Sequence, residues 1–370
     1  MRYIRPINCM NRYLTIVLSC VTLCGTTAAA CTSAIVSARA NPEGRTLLWK
    51  NRDTGHEHNF VERVPASDGQ LGYVALFNGG DSLLTEAWIG MNEAGFAVMN
   101  TASYNLAPDT ATYKDREGFI MTEALRRCHS LADFEQLLDT LPKPLGVQAN
   151  FGAIDATGAG AYYETDDYNY VKYDVADEPS GVLIRTNFSY SEAETGGMGF
   201  VRHGNARDLL QPYVDARQVT PEVLTEHLSR SYYHSIRRDD AMADTMRYIP
   251  DRDFIPRYST SASVVVESAL PDEPKAAAIM WTMMGYPPCS SVVPVTLYNI
   301  PYDLRPHGVE YRSPKSEYMV SLKHDKLFKT IDGTRYVDLD IVRSVDSICR
   351  QNSVKSYSYG RKTRPSFVTR

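Results

Sequence analysis

Hydrophobic spacing alternates between two periods along this chain. Residues 32–38 and 46–50 are short β-branched and aliphatic runs, separated by Asn41-Pro42-Glu43-Gly44, residue types that favour a tight turn. A hairpin is predicted there, and it sets Cys31 beside Lys50-Asn51-Arg52-Asp53. Runs 73–77, 86–91 and 96–100 repeat the pattern, the last two joined by Asn92-Glu93-Ala94-Gly95, so a meander follows. Between 116 and 141 the period changes: Phe119, Ile120, Ala124 and Leu125, then Leu131, Phe134, Leu137 and Leu138, recur at helical spacing. Ser130 followed by Asp133 is a start signal for the second of two helices. Strand-like runs return at 150–155, 161–164, 168–173 and 181–186. A second helical block covers 204–215 and 221–231, the latter with Thr220 as cap and Pro221 in the first helical position. Strands close the pattern at 263–267, 276–282 and 292–297.

The order is therefore strands, helices, strands, helices, strands. Links of hairpin length between most neighbouring strands imply antiparallel pairing, and two helical blocks suffice to cover the outer faces of two stacked sheets. The predicted fold is α+β, a four-layer α–β–β–α sandwich. No internal repeat or low-complexity tract divides residues 31–349, which read as one domain.

The two ends depart from this pattern. Residues 1–30 carry Arg2, Arg5 and Arg12 but no carboxylate, then an apolar run from Tyr13 to Leu23, then small residues up to Ala30. That is the plan of a secretory signal, with an apolar part too short to span a bilayer. Export to the periplasm or the exterior is expected, with no transmembrane segment left after the signal is cut. At the other end, residues 350–370 hold six Lys/Arg and no carboxylate among Ser, Tyr and Pro. They read as a basic flexible tail, with contact to an anionic surface as the alternative.

Removing the first thirty residues takes away three basic side chains, so 39 basic against 44 acidic becomes 36 against 44, a net charge of −8. No basic surplus remains to neutralise phosphates, which excludes a nucleic-acid partner. Of seven cysteines, Cys9, Cys20 and Cys24 go with the signal. Cys31, Cys128, Cys289 and Cys349 remain, far apart and without a CxxC pair, so they form no disulfide scaffold; one bridge among the last three stays open.

The chemistry centres on Cys31. If the chain is cut after Ala30, this residue carries a thiol and a free α-amine on one framework. The amine titrates near pH ~7.7–8 in peptides, against about 10.4 for lysine, so at neutral pH a useful fraction is an unprotonated base. With a thiol pKa of about 8.5, the proton can pass from sulfur to nitrogen. No histidine is needed, and neither G-x-S-x-G nor H-E-x-x-H occurs. The competing reading makes Cys31 the lipidated residue of a lipoprotein, with both groups blocked. Against it, Ala28 stands where such signals usually have leucine, and a strand-like run starts at once instead of a polar spacer. Asp53, across the hairpin, could hold the amine; alternatively it makes a surface ion pair with Arg52.

Cys31-Thr32, Lys50-Asn51-Arg52-Asp53, Gly90-Met91-Asn92-Glu93-Ala94-Gly95, residues 150–164 and residues 182–187 together resemble the N-terminal-nucleophile cysteine hydrolases. That superfamily includes penicillin V acylase, bile salt (choloylglycine) hydrolase, acid ceramidase and isopenicillin N acyltransferase. The resemblance spreads over most of residues 31–300 and implies an αββα sandwich. It further implies Cys31 as nucleophile and base, Asp53 as the group that binds the amine, Asn187 as an oxyanion-hole donor and Asn100 as its partner. Where the acylases place arginine three residues before the aspartate, this chain has Lys50, closer to the acyltransferase and dipeptidase branches, with Arg52 one residue before Asp53. Their second arginine is best matched by Arg202, with Arg257 as a rival substrate-facing cation. The stretch between Asn187 and Arg202 is shortened relative to the loop that shapes a bile acid pocket, which disfavours bile salts.

The expected activity is hydrolysis of a small linear amide through an acyl-enzyme thioester, without cofactor or metal. An N-terminal-cysteine dipeptidase, an acyltransferase and a non-catalytic lipoprotein anchored at Cys31 are the alternatives, and a homo-oligomer is left open. His56-Glu57-His58 reads as a solvated loop rather than a metal site. Cys128 and Cys289 read as packed.

Overall fold

The computed structural model describes residues 31–107, 111–193 and 195–365; the expected signal at 1–30 and the last five residues of the expected tail lie outside these. The chain begins with β1 (Thr32–Val36), β2 (Leu47–Asp53), β3 (Asn59–Val64), β4 (Tyr73–Asn78), β5 (Ile89–Asn92) and β6 (Ala97–Ala102). Helices α1 (Glu117–Arg127) and α2 (Leu131–Thr140) follow, then β7 (Ala149–Ile154), β8 (Gly160–Thr165), β9 (Tyr170–Asp174) and β10 (Val182–Arg185). After α3 (Phe200–Asp215) and a wide helical turn at Val223–Leu228 come β11 (Tyr233–His234), β12 (Asp239–Asp240), β13 (Tyr248–Pro250), β14 (Thr260–Glu267), β15 (Ile279–Met284) and β16 (Val293–Val295). The chain closes with α4 (Pro314–Leu322), β17 (Phe328–Ile331), β18 (Thr334–Asp338) and α5 (Leu339–Thr363).

Two antiparallel sheets dominate. One is ordered β10-β1-β2-β14-β15-β16; the other runs β3 to β9 in sequence order as a meander. Side-chain alternation sorts their residues into layers. Ile35, Leu48, Val264 and Val266 meet Val74, Leu76, Met99 and Tyr162 between the sheets. On the outside of the first sheet, Val36, Trp49, Val265 and Trp281 pack under α3, the 223–228 turn and Tyr357 of α5. On the outside of the second, Tyr73, Phe77 and Phe151 pack under Ile120, Leu125, Phe134 and Leu138 of α1 and α2. The four-layer sandwich expected from the pattern and from the resemblance is the one observed.

The local signals behave as their chemistry requires. Asn41 Oδ1 accepts from the Glu43 and Arg45 amides at 2.9 and 3.2 Å, closing the first turn, and Gly44 takes φ +69°. Ser130 and Asp133 form a reciprocal capping box. Thr220 Oγ1 accepts from the Val223 amide at 3.3 Å, though the helix there shrinks from the expected 221–231 to a widened turn.

One strand is new and one expectation is corrected. β3 was not foreseen: its Asn-Phe-Val-Glu-Arg-Val has charges on the half-exposed end of an edge strand, which breaks the apolar run. Residues 350–363 are helical, not a flexible tail. The buried stripe of α5 is Leu339, Val342, Cys349, Ser353, Tyr357 and Gly360, half of it small or polar, so no apolar period announces it. Among the described residues, no helix is long and apolar enough to cross a membrane.

Candidate active site

Register decides what meets Cys31. Thr32 faces Asn51 across the β1–β2 pair, so the preceding Cys31 lies at the carboxyl end of β2, and its thiol points at the Asp53 carbonyl, 3.7 Å away. Cys31 is 4% exposed and lines a cavity of about 720 Å³ together with Lys50, Arg52, Asp53, Trp88, Asn100 and Tyr104.

Along β2 the side chains that face the other sheet change from Leu48 to Lys50 to Arg52. Lys50 Nζ donates to Asn100 Oδ1 at 2.7 Å and to the Trp88 carbonyl at 2.9 Å. Burial pushes its ammonium down to about 8, against the pull of Cys31. Arg52 donates to Asn59 Oδ1 at 2.6 Å, Asn78 Oδ1 at 2.7 Å and Ser261 Oγ at 3.2 Å, with its guanidinium 4.8 Å from the centre of the Trp88 ring. Burial lowers it to about 10.

Arg202 stands in the first turn of α3 and reaches back into the same centre. It donates to the Cys31 carbonyl at 2.6 Å, Thr32 Oγ1 at 2.9 Å and Asn187 Oδ1 at 2.8 Å. Burial, then Arg257, lowers it to about 10. Lys50, Arg52 and Arg202 are thus three buried cations bonded to neutral oxygens, and none has an ion-pair partner within 4.0 Å among the described residues. Uncompensated buried charge is costly, so such a group of cations favours whatever negative charge appears between them.

Asp53 is fully buried and does not pair with Arg52, which corrects that alternative. Its Oδ2 accepts from Arg257 at 2.7 and 3.0 Å, and its Oδ1 from Thr260 Oγ1 at 2.6 Å and Asn51 Nδ2 at 3.2 Å. Arg257, expected as a substrate-facing cation, is the partner of this carboxylate.

The two asparagines are treated alike. Lys50 holds the side-chain oxygen of Asn100 and Arg202 holds that of Asn187, so each amide is fixed with its nitrogen turned to the opposite side. For Asn187 one N–H is spent on the Ala102 carbonyl at 2.8 Å. The eight residues singled out from the sequence therefore converge on one centre, with Asn187, Arg202 and Arg257 behind the cavity wall rather than on it.

No family model matches this chain, and no curated protein matches it. Solved structures similar to it include an N-acylethanolamine-hydrolyzing acid amidase ortholog from Caenorhabditis elegans, at 15% identity over 63% of this chain and 91% of that chain, with a TM-score of 0.43. Two variants of a conjugated bile acid hydrolase from Clostridium perfringens are similar at 11% identity over 72% of this chain and 92% of that chain, TM-score 0.43. Penicillin V acylase from Agrobacterium tumefaciens is similar at 13% identity over 73% of this chain and 87% of that chain, TM-score 0.43. These remain likenesses; the chemistry is carried by the site's own geometry.

The rest of the cavity wall was not read from the sequence. Glu86 and Trp88 lie inside a foreseen strand and Tyr104 four residues after Asn100, while Lys114 and Asp115 come from the segment before α1 and Glu117 is its first residue, none of them marked by a motif. His56 lines the cavity too, and Glu57 pairs with His324 at 2.7 Å and Lys323 at 3.6 Å, so this triplet is more engaged than a solvated loop. Cys128 is packed as expected, its thiol pushed up to about 12 by burial.

Proposed function

We propose that this chain is an exported N-terminal-nucleophile amidohydrolase that cleaves a small linear amide through a thioester on Cys31. The observation that carries the reading is the convergence on that cysteine of two oriented asparagine amides and three buried cations, none of them in a direct ion pair among the described residues.

Removal of residues 1–30 frees the α-amine of Cys31. The amine takes the thiol proton and Sγ attacks the amide carbonyl, converting it to a tetrahedral oxyanion. Asn100, its oxygen held by Lys50, turns its N–H groups to that oxyanion; Asn187, its oxygen held by Arg202 and one N–H by the Ala102 carbonyl, braces the wall behind Cys31. One such donor is worth about 2.7–4 kcal/mol of barrier, and the cations add to it in a water-poor site. The α-ammonium returns its proton to the departing amine, and the amine then activates a water that hydrolyses the thioester. Asp53 and Arg257 fix the polar wall beside this exchange.

A second reading, cleavage of short zwitterionic peptides, is favoured by the cavity lining. Glu86, Asp115 and Glu117 share it with Lys50 and Arg52, so a substrate with both an ammonium and a carboxylate finds both complements.

Intact-mass measurement of the mature protein tests the premise: an unmodified start at Cys31 is expected, and a diacylglyceryl mass would put a lipoprotein in its place. Turnover is then assayed with N-acyl amino acids, penicillin V, conjugated bile acids and dipeptides. Cys31→Ser should keep the fold by circular dichroism and lose about three orders of magnitude or more in kcat; wild-type turnover in that variant refutes the nucleophile.

A further inference from the structure

Away from Cys31, a second cleft of about 440 Å³ opens beside α4 and α5, and Cys289 and Cys349 both line it. Both residues are buried, at 7% and 9% exposure, and both are free. The backbone around them is clamped twice. Arg230 donates to the carbonyls on either side of Cys289, Pro288 at 3.1 Å and Ser290 at 2.5 Å, and stands 3.7 Å from Asp346, one turn before Cys349 on α5. One turn after Cys349, Ser353 Oγ accepts from the Val292 amide at 3.1 Å and donates to the Cys349 carbonyl at 3.0 Å. The segment carrying Cys289 is thereby held against the face of α5 that carries Cys349. Electrostatics agree: burial and then the neighbouring Cys349 push the Cys289 thiol up, and Lys315, in the same cleft, is lowered by burial but drawn back up by Cys349.

We propose that Cys289 and Cys349 are a dithiol site that closes into an intrachain disulfide when the folded protein meets a small-molecule disulfide. Cys349, beside the Lys315 ammonium, gives its proton to solvent and attacks one sulfur of the reagent, forming a mixed disulfide and releasing the first small thiolate. Cys289 then loses its proton, attacks the Cys349 sulfur and expels the second thiolate. The two protein thiols give up two electrons and two protons, and one small disulfide becomes two thiols. The open cleft admits the reagent, and an oxidising compartment supplies it. The link would tie α5 to the end of the first sheet.

The test incubates the mature chain with oxidised glutathione, blocks remaining thiols with iodoacetamide in denaturant, and maps the digest by mass spectrometry. A peptide pair joined through Cys289 and Cys349 is expected, with Cys128 alkylated. In Cys289→Ser the pair should vanish and a single glutathione adduct should remain on Cys349. Recovery of both residues alkylated in the wild type, or of separate glutathione adducts on each, overturns the proposal, and the wild-type map alone decides it if the variant does not fold.

Discussion

Lys50 bears a conflict that titration can expose. Its ammonium fixes Asn100, yet it is buried without a carboxylate partner among the described residues, and burial moves it from 10.5 to about 8. Between those values the unfolded chain keeps the proton that the folded chain has released, so the unfolded state binds more protons and stability from this residue rises with pH. Below about 8 both states are charged and the full desolvation cost is present. In Lys50→Met that titration is absent. The stability of wild type relative to Lys50→Met, from urea denaturation, should therefore increase between about pH 7.5 and 10, by at most ~3 kcal/mol. A flat difference over that range would mean that the lysine keeps its proton in the fold. The meeting of Cys31 and Asp53 was legible in the sequence because a tight turn sets them across one hairpin, whereas Asn187 was expected beside them from the resemblance alone. The pairing of each asparagine oxygen with its own cation was not, because Lys50 and Asn100 meet across two sheets, and Arg202 reaches Asn187 from a helix.

Strands carry these side chains, and the most demanding support lies at the end of β10, just before Asn187. Arg185 and Glu164 form a fully buried pair at 2.7 Å, and the guanidinium lies 4.1, 4.8 and 5.1 Å from the rings of Tyr190, Tyr173 and Tyr162. Glu164 also accepts from the Tyr190 and Ser191 amides at 2.9 and 2.7 Å, which pins the turn that follows Asn187. Arg185→Met leaves that carboxylate buried without its cation, a loss of about 3–5 kcal/mol. Urea denaturation should show it, and a loss below about 1 kcal/mol would mean that the two amides alone support Glu164. The strand positions of Arg185 and Glu164 were legible from period-two runs. Their pairing was not, since β8 and β10 lie in different sheets and no local spacing relates them. Edge strand β3 was hidden for the opposite reason: its solvent-side charges interrupt the apolar alternation that signals a strand.

Layer order followed from the sequence because helices and strands alternate in blocks, but the last helix did not, and its docking can be tested at one glycine. Helix α5 crosses the outer face of the first sheet: Tyr357 packs against Trp281 with ring centres 4.6 Å apart and planes tilted by 46°, and Arg364 pairs with the fully buried Glu267. A Cβ at Gly360 would stand 2.6 and 2.8 Å from the Trp281 ring and 2.9 Å from Pro294 Cβ. Two opposite effects then compete in Gly360→Ala. Helix propensity alone favours alanine by about 1 kcal/mol. Overpacking against a fully buried indole costs ~1–3 kcal/mol, because neither the ring nor the proline is the free end of a flexible chain. Contact should win, so Gly360→Ala should lower the denaturation midpoint. A neutral or stabilising result would show that the helix end is undocked, as a basic tail would be, and that Glu267 must find its counter-charge in Arg45 alone, 3.7 Å away.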